Sequence, residues 1–220
     1  ERNRGEKIDV SRVTLRDKKT FNLLNKGDTI AVFQLESGGM RELCKKFGVD
    51  KIEHIIALIA LYRPGPMQFI GDFINRKSGK VIVEYDHPKM EPVLRETYGI
   101  MLYQEQIIQV VQVLAGFTLG GADILRRAIG KKKINILTAQ KKKFVEGCAK
   151  HNNIDERKAN TIWDKIEMFA GYGFNKSHSA AYAFLAYRTA FLKANYPVEF
   201  MTAVLTSELK NADKLAFFLQ

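Results

Sequence analysis

The sequence predicts a mainly α-helical protein, and three observations carry that prediction. Apolar residues recur at helical spacing along most of the 220 residues. Ser and Asp stand where helices should begin, and Gly or Pro where they should end. Only two short runs, VIVEY and GIMLY, are β-prone, which allows at most a small β-hairpin. With 46% hydrophobic and 27% charged residues the chain can bury a core, which excludes wholesale disorder. Its apolar runs are interrupted well before the roughly 18 residues a bilayer span requires, so a transmembrane protein is excluded.

The elements follow in order. Asp17 is placed to cap a first helix ending at Gly27. Ser37 is placed to cap a second, with Met40, Leu43, Cys44 and Phe47 on one face and Gly48 just beyond. Asp50 and Glu53 have the spacing of a capping box for the apolar run Ile52 to Leu61. The Arg63-Pro64-Gly65-Pro66 turn ends that helix. Between Gly79 and Tyr103 the two β-prone runs flank a short helix opening at Pro88. Longer helices are expected over Gln104 to Ala115, Leu119 to Ile129 with Gly130 as the stop, and roughly 138 to 150. Another carries Ala159, Ile162, Trp163, Ile166 and Phe169 until Gly171. Ser177 is placed to cap a long helix reaching Asn195, and Pro197 opens one more. No internal repeat, low-complexity tract or Gly/Ser linker interrupts this run, which reads as one helical domain.

Charge narrows the class of partner. Lys and Arg number 35 against 24 Asp and Glu, a formal net charge of +11. Eight of those cations lie between Asp123 and Glu146 with no acid among them: Arg126, Arg127, Lys131, Lys132, Lys133, Lys141, Lys142 and Lys143. Subtracting those eight leaves +3 for the rest of the chain, which is close to balanced. A block of this kind points to a polyanion, whether nucleic acid, nucleotide phosphates or an anionic membrane face. A solvated helix face is the plainer alternative.

Self-contained catalysis finds no support. His54, His87, His151 and His178 are at least 27 positions apart. The cysteines form no CxxC pair. No Asp-x-Asp and no Gly-x-Ser-x-Gly elbow occurs. Gly130-Lys131-Lys132 imitates the end of a phosphate-binding loop, but Leu125 stands where the first Gly belongs and Lys132 where Ser or Thr would bind magnesium.

Two segments suit phosphate. In LRRAIGKKK, residues 125–133, Arg127 and Lys131 share a helix face and Arg126 sits one step round. Guanidinium forks fit phosphate oxygens and the lysines add mobile charge, although cations at a helix C-terminus also complement its dipole. In GYGFNKSHSAAYA, residues 171–183, glycines permit unusual backbone angles. Asn175, Lys176, Ser177 and His178 then open a helix, whose amides and dipole favour an anion. Tyr172, Phe174 and Tyr182 offer rings for a base. The alternative is an ordinary loop with a Ser cap, a buried His and core aromatics. Arg63 can reach phosphate or pair with an acid, the commoner fate. Gln104 puts a polar group beside a buried helix, and Glu105 reads as a structural or capping carboxylate.

Five stretches together carry a resemblance: AVFQLESGGMREL (31–43), ALYRPGPM (60–67), YGIMLYQEQ (98–106), LAGFTLGGADILRRAIGKKK (114–133) and FAGYGFNKSHSAAYAFLAYRTAFLKANYPVEFMTAVL (169–205). They closely resemble the C-family of bacterial replicative DNA polymerases, the DNA polymerase III alpha subunits, from about residue 14 onward. The resemblance implies a multi-helical fingers domain over 31–205, a linker or palm-proximal remnant over 1–30, and the start of a further helical segment over 206–220. It implies DNA-directed nucleotidyl transfer by a longer parent protein, with two magnesium ions held by palm aspartates upstream and none held here. By the same resemblance, Arg126 and Arg127, with Lys131, Lys132 and Lys133, meet the triphosphate of the incoming deoxynucleotide. Asn175, Lys176, Ser177 and His178 meet nucleotide or template, and Arg63, Gln104, Tyr172 and Tyr182 are candidate DNA or base contacts. Primer-template DNA and dNTP are the implied ligands. Sliding clamp, proofreading exonuclease subunit and clamp loader are implied partners of regions outside this chain, with no membrane. ERNRGEKIDV has no initiator Met or signal region, and the chain stops inside the apolar LAFFLQ. The expectation is a cytoplasmic fragment, inactive alone. A non-catalytic helical nucleic-acid-binding module is the rival reading. After Lys133 the chain reads INIL, where the family pattern has a proline and acids.

Overall fold

The computed structural model describes residue 5, residues 7–131 and residues 134–219. Lys132 and Lys133 lie outside them. Among the described residues there are α1 (Lys18–Asn25), α2 (Gly38–Phe47), α3 (Ile52–Leu61), α4 (Ile70–Lys77), α5 (Glu91–Leu94) and α6 (Gln104–Ala115). There follow α7 (Leu119–Gly130), α8 (Ile134–Asn152), α9 (Glu156–Ala170), α10 (Lys176–Asn195), α11 (Pro197–Ser207) and α12 (Ala212–Phe218). No strand occurs among them, so the mainly α-helical class holds. None of these helices is long and apolar enough to cross a membrane. Where the sequence reads as one domain, the contacts divide the chain into two compact units. One comprises Glu1–Ile59 with Ala180–Gln220, and the other Ala60–Ser179.

In the first unit, α1 and α2 pack together, burying Phe21 and Leu24 against a face that carries Met40, Leu43, Cys44 and Phe47. Their ends are fixed as the residue types require. Asp17 accepts from Thr20 N at 2.8 Å; Ser37 caps α2 through Met40 N; and Gly48 takes φ +68°, a left-handed angle suited to glycine. Helix α3 begins at Ile52. The Asp50 carboxylate, expected at its cap, lies 3.1 Å from Nδ1 of buried His54.

Asp17 also ties in α10, receiving Asn195 Nδ2 at 3.1 Å. Burial by itself would raise this carboxyl, but the hydrogen bonds from Thr20 and Asn195 outweigh it and hold it below its ordinary value. A group with a depressed folded pKa stabilises the fold above its unfolded value of about 3.9, and loses that contribution as pH falls through the folded value. Asp17→Ala is expected to cost about 1–2 kcal/mol. Urea unfolding at pH 7 should show this loss, and the gap between variant and wild type should narrow below pH 4.

The second unit is organised around α6, which packs on α7, α8 and α9. Its core joins Val110, Val111 and Leu114 of α6 with Leu125, Phe144, Cys148, Ile162, Trp163 and Ile166. Burial pushes the Cys44 thiol up to about 12 and the Cys148 thiol up to about 11, so both are unreactive packing residues. Helix α8 begins at Ile134, four residues before the expected start, so INIL opens the helix without an acidic first turn. The two β-prone runs do not form a hairpin. Ile82 is 83% exposed, while the end of GIMLY pairs elsewhere, as the site shows.

Candidate nucleotide and nucleic-acid interface

The first three residues of α6 point three ways, and they assemble the site within the second unit. Gln106 turns inward. Its Oε1 accepts from the amides of Leu102 at 2.9 Å and Tyr103 at 3.0 Å. Its Nε2 donates to Val93 O and to Thr97 Oγ1. The buried entry into α6 thus has its amides satisfied.

Gln104 faces the turn before α10. Its amide donates to Phe174 O at 2.9 Å, and the Phe174 amide donates to Leu102 O at 3.1 Å. This parallel bridge is the pairing that GIMLY makes in place of a hairpin. The Gln104 side chain donates through Nε2 to Gly173 O at 3.0 Å and accepts through Oε1 from Arg126 Nη1 at 3.1 Å. Gly173 packs closely here: an added Cβ would lie 3.2 Å from Gln104 Cγ, which would have to give a little. The unusual backbone angles expected of these glycines are not used: Gly171 has φ −63°, and Gly173 has no positive φ.

Glu105 faces the start of α10. Its carboxylate accepts from Lys176 N at 3.0 and 3.2 Å and from Asn175 Nδ2 at 3.1 Å. The capping reading of Glu105 is therefore right, although the helix it caps is α10. Asn175 supplies the other half of the cap, its Oδ1 accepting from His178 N at 2.8 Å. This corrects the expectation for Ser177, which sits exposed one turn position too late to cap. Lys176 Nζ reaches Glu96 Oε2 at 2.6 Å. Both acids of this corner are held by one lysine, through its amide and its ammonium.

Of the other predicted residues, Arg126, Arg127, Lys131, Arg63, Tyr172 and His178 belong to this same unit. Arg126 Nη2 and Arg127 Nη2 each lie 2.8 Å from the Asp123 carboxylate. A hydrogen bond from Arg126 and the charge of both guanidiniums hold that carboxyl below the usual range. Arg127 stays 68% exposed, and Arg126 31%. Lys131 is exposed at the turn after α7, its amide on Arg127 O at 3.1 Å.

Arg63 is held by carbonyls and a ring in place of the acid expected of it. It donates to Ala60 O and to Tyr172 O, both at 3.1 Å, and its guanidinium lies 4.1 Å from the centroid of Phe174. Partial burial lowers its pKa, but a guanidinium starting above about 12 remains a cation. Tyr172 is 42% exposed. His178 is exposed, with its ring 5.5 Å from that of Phe174, so it is not the buried His of the plainer alternative. Tyr182 belongs to the first unit, where it packs on Phe33 at 5.3 Å.

The structure thus gathers Arg63, Gln104, Arg126, Tyr172, Asn175 and Lys176 into one contiguous network, with Arg127 joined through Asp123. Two participants escaped sequence reasoning. Asp123 was legible, since positions i+3 and i+4 from it are arginines. Glu96, 80 residues from its lysine, carried no local signal. Among the described residues, no group of three or more His, Cys, Asp or Glu side chains is placed to hold a metal ion. The arrangement offers cations and aromatic faces, while the Lys176 and His178 amides already serve Glu105 and Asn175.

A family profile described as the bacterial DNA polymerase III alpha subunit finger domain matches residues 1–152. The chain belongs to that family. Among its relatives is the DNA polymerase III subunit alpha of Pseudomonas fluorescens, 54% identical over 220 residues that cover 97% of this chain and 19% of the relative. The corresponding protein of Caulobacter vibrioides is 52% identical over 99% of this chain and 19% of its own length. That of Escherichia coli K12 is 51% identical over 94% of this chain and 18% of its own length. The chain spans about a fifth of the length of these relatives.

Proposed function

We propose that this chain serves as the fingers of a bacterial replicative DNA polymerase, contacting the incoming dNTP and the primer-template. The observation that carries this reading is the arginine pair of α7. Arg126 and Arg127 are aimed at one carboxylate, each at 2.8 Å, so an oxygen-bearing anion already defines their geometry. Lys131 lies one turn beyond, and Lys132 and Lys133 extend the same charge. Asn175, Lys176, Ser177 and His178 form the second contact region. Tyr172, Tyr182 and Arg63 are assigned to the DNA side.

In this reading residues 1–30 adjoin the palm, 31–205 are the fingers and 206–220 begin the next segment. The chain is catalytically incomplete by itself. Magnesium chemistry belongs to palm aspartates elsewhere in the longer polymerase. The sliding clamp, proofreading exonuclease subunit and clamp loader are proposed partners of that longer protein, in the cytoplasm.

The test is single-nucleotide incorporation by a polymerase carrying this chain, comparing wild type with Arg126→Ala/Arg127→Ala. Charge-assisted hydrogen bonds contribute about 1.5–3 kcal/mol each, and carboxylate exchange reduces the net gain. The expected result is a fall of about 10- to 100-fold in kcat/KM for the nucleotide, with primer-template affinity nearly kept. Unchanged incorporation would remove the arginines from the triphosphate. Loss of DNA affinity with intact nucleotide kinetics would favour a nucleic-acid-binding module instead.

A further inference from the structure

Gln104 is the only described side chain with hydrogen bonds to both the α7 arginine pair and the turn that opens α10. We propose that it is a positioning residue, coupling the orientation of Arg126 to the backbone of residues 172–176.

Both ends of its amide are used. Oε1 accepts from Arg126 Nη1 at 3.1 Å while Nε2 donates to Gly173 O at 3.0 Å. Its own backbone amide holds the next carbonyl of the same turn, Phe174 O, at 2.9 Å. Side chain and backbone of one residue therefore clamp two consecutive carbonyls. The guanidinium it orients is simultaneously fixed by Asp123 at Nε and Nη2, at 2.9 and 2.8 Å. Arg126 thus spans α7 and the Gln104 amide as a single planar strut. A shift of the strut moves the turn, and the reverse. Glu105 secures the following residues, Asn175 and Lys176, so the coupling reaches the α10 start. Gln104 is assigned a role through the two segments it joins, beyond any contact of its own with DNA.

The coupling stands on these distances alone; its consequence for incorporation rests on the proposed function. Two readouts in a polymerase carrying this chain separate the two. The first is amide hydrogen exchange of the 172–176 segment, in which the Phe174 amide is bonded to Leu102 O. Gln104→Met, similar in shape but without the amide, is expected to speed this exchange about tenfold. Arg126→Ala should also speed it, and the double variant should be no faster than Gln104→Met alone. Gln104→Glu keeps an acceptor for Arg126 and loses the donor to Gly173, so it should speed exchange while leaving Arg126→Ala without further effect.

If Arg126→Ala leaves 172–176 exchange unchanged, or if the two fold-changes multiply, the coupling is wrong. The second readout is the KM against kcat split for the nucleotide. Gln104→Met should change nucleotide kcat/KM about three- to tenfold with primer-template affinity kept. A loss confined to DNA affinity would make Gln104 a direct DNA contact and overturn the positioning role. Coupled exchange with unchanged nucleotide kinetics in Arg126→Ala would leave the coupling standing and remove only the proposed function.

Discussion

Truncating Trp163 to alanine is expected to cost about 3–5 kcal/mol of stability. Trp163 is 1% exposed, and its ring lies 5.5 Å from that of Phe144, so α9 meets α8 through it. The core around it includes Cys148, Ile162 and Ile166, all buried. None of these is long enough to fill the volume of an indole, so a cavity would persist. Since a domain's total stability is about 5–15 kcal/mol, the loss would leave the second unit close to unfolding. Urea titration followed by helical circular dichroism is the right probe, because the substitution removes the chain's one tryptophan. Met168→Ala on the same helix, where the side chain is 46% exposed, should stay within about 0.5 kcal/mol. Similar midpoints for the two variants would show that α9 does not seal this core.

Gly65→Ala is expected to cost about 2–4 kcal/mol and to disturb the candidate site as well. Gly65 has φ +97° and ψ −75°, a region closed to residues with a side chain. A Cβ there would also lie 2.5 Å from the Tyr172 ring. The ring would have to swing aside from a backbone whose carbonyl is held by Arg63. The Arg63-Pro64-Gly65-Pro66 turn is therefore a wall of the site as well as a helix stop. Thermal unfolding should report the stability loss, and nucleotide kinetics the displacement of Tyr172. A variant as stable as wild type, with wild-type kinetics, would mean that the turn and the ring are independent.

Most helix limits were legible because caps and stops are local. Asp17, Ser37, Gly48 and Pro197 act within a few residues of themselves, and the structure uses each as expected. The errors also have local causes. Residues close in sequence can compete for one cap, so Asn175 displaced Ser177. GIMLY kept its preference for extended backbone but found its partner at Phe174, about 70 positions away, and no period-2 pattern announces a single bridge. The residue types of the site were visible in the sequence, whereas its connectivity was not. Gln104 and Glu105 looked like neighbours of a buried helix; what makes them matter is the turn that the fold brings to them.

The carboxylates already seated on the basic groups have a further consequence, for the ionic-strength dependence of binding. A cation that meets DNA from solvent neutralises a phosphate and frees a condensed counterion, giving a slope of about 0.9 in log affinity per contact. Arg126 and Arg127 sit on Asp123, and Lys141 sits on Asp164 at 3.0 Å. When phosphate replaces such a carboxylate, the displaced acid gathers a counterion of its own, and little net release remains. The basic stretch between Asp123 and Glu146 should therefore hold polyanions with a shallower salt slope than its eight cations suggest. Under the proposed function, binding there would be an exchange of anions, selective for groups that fit the guanidinium forks better than a carboxylate does.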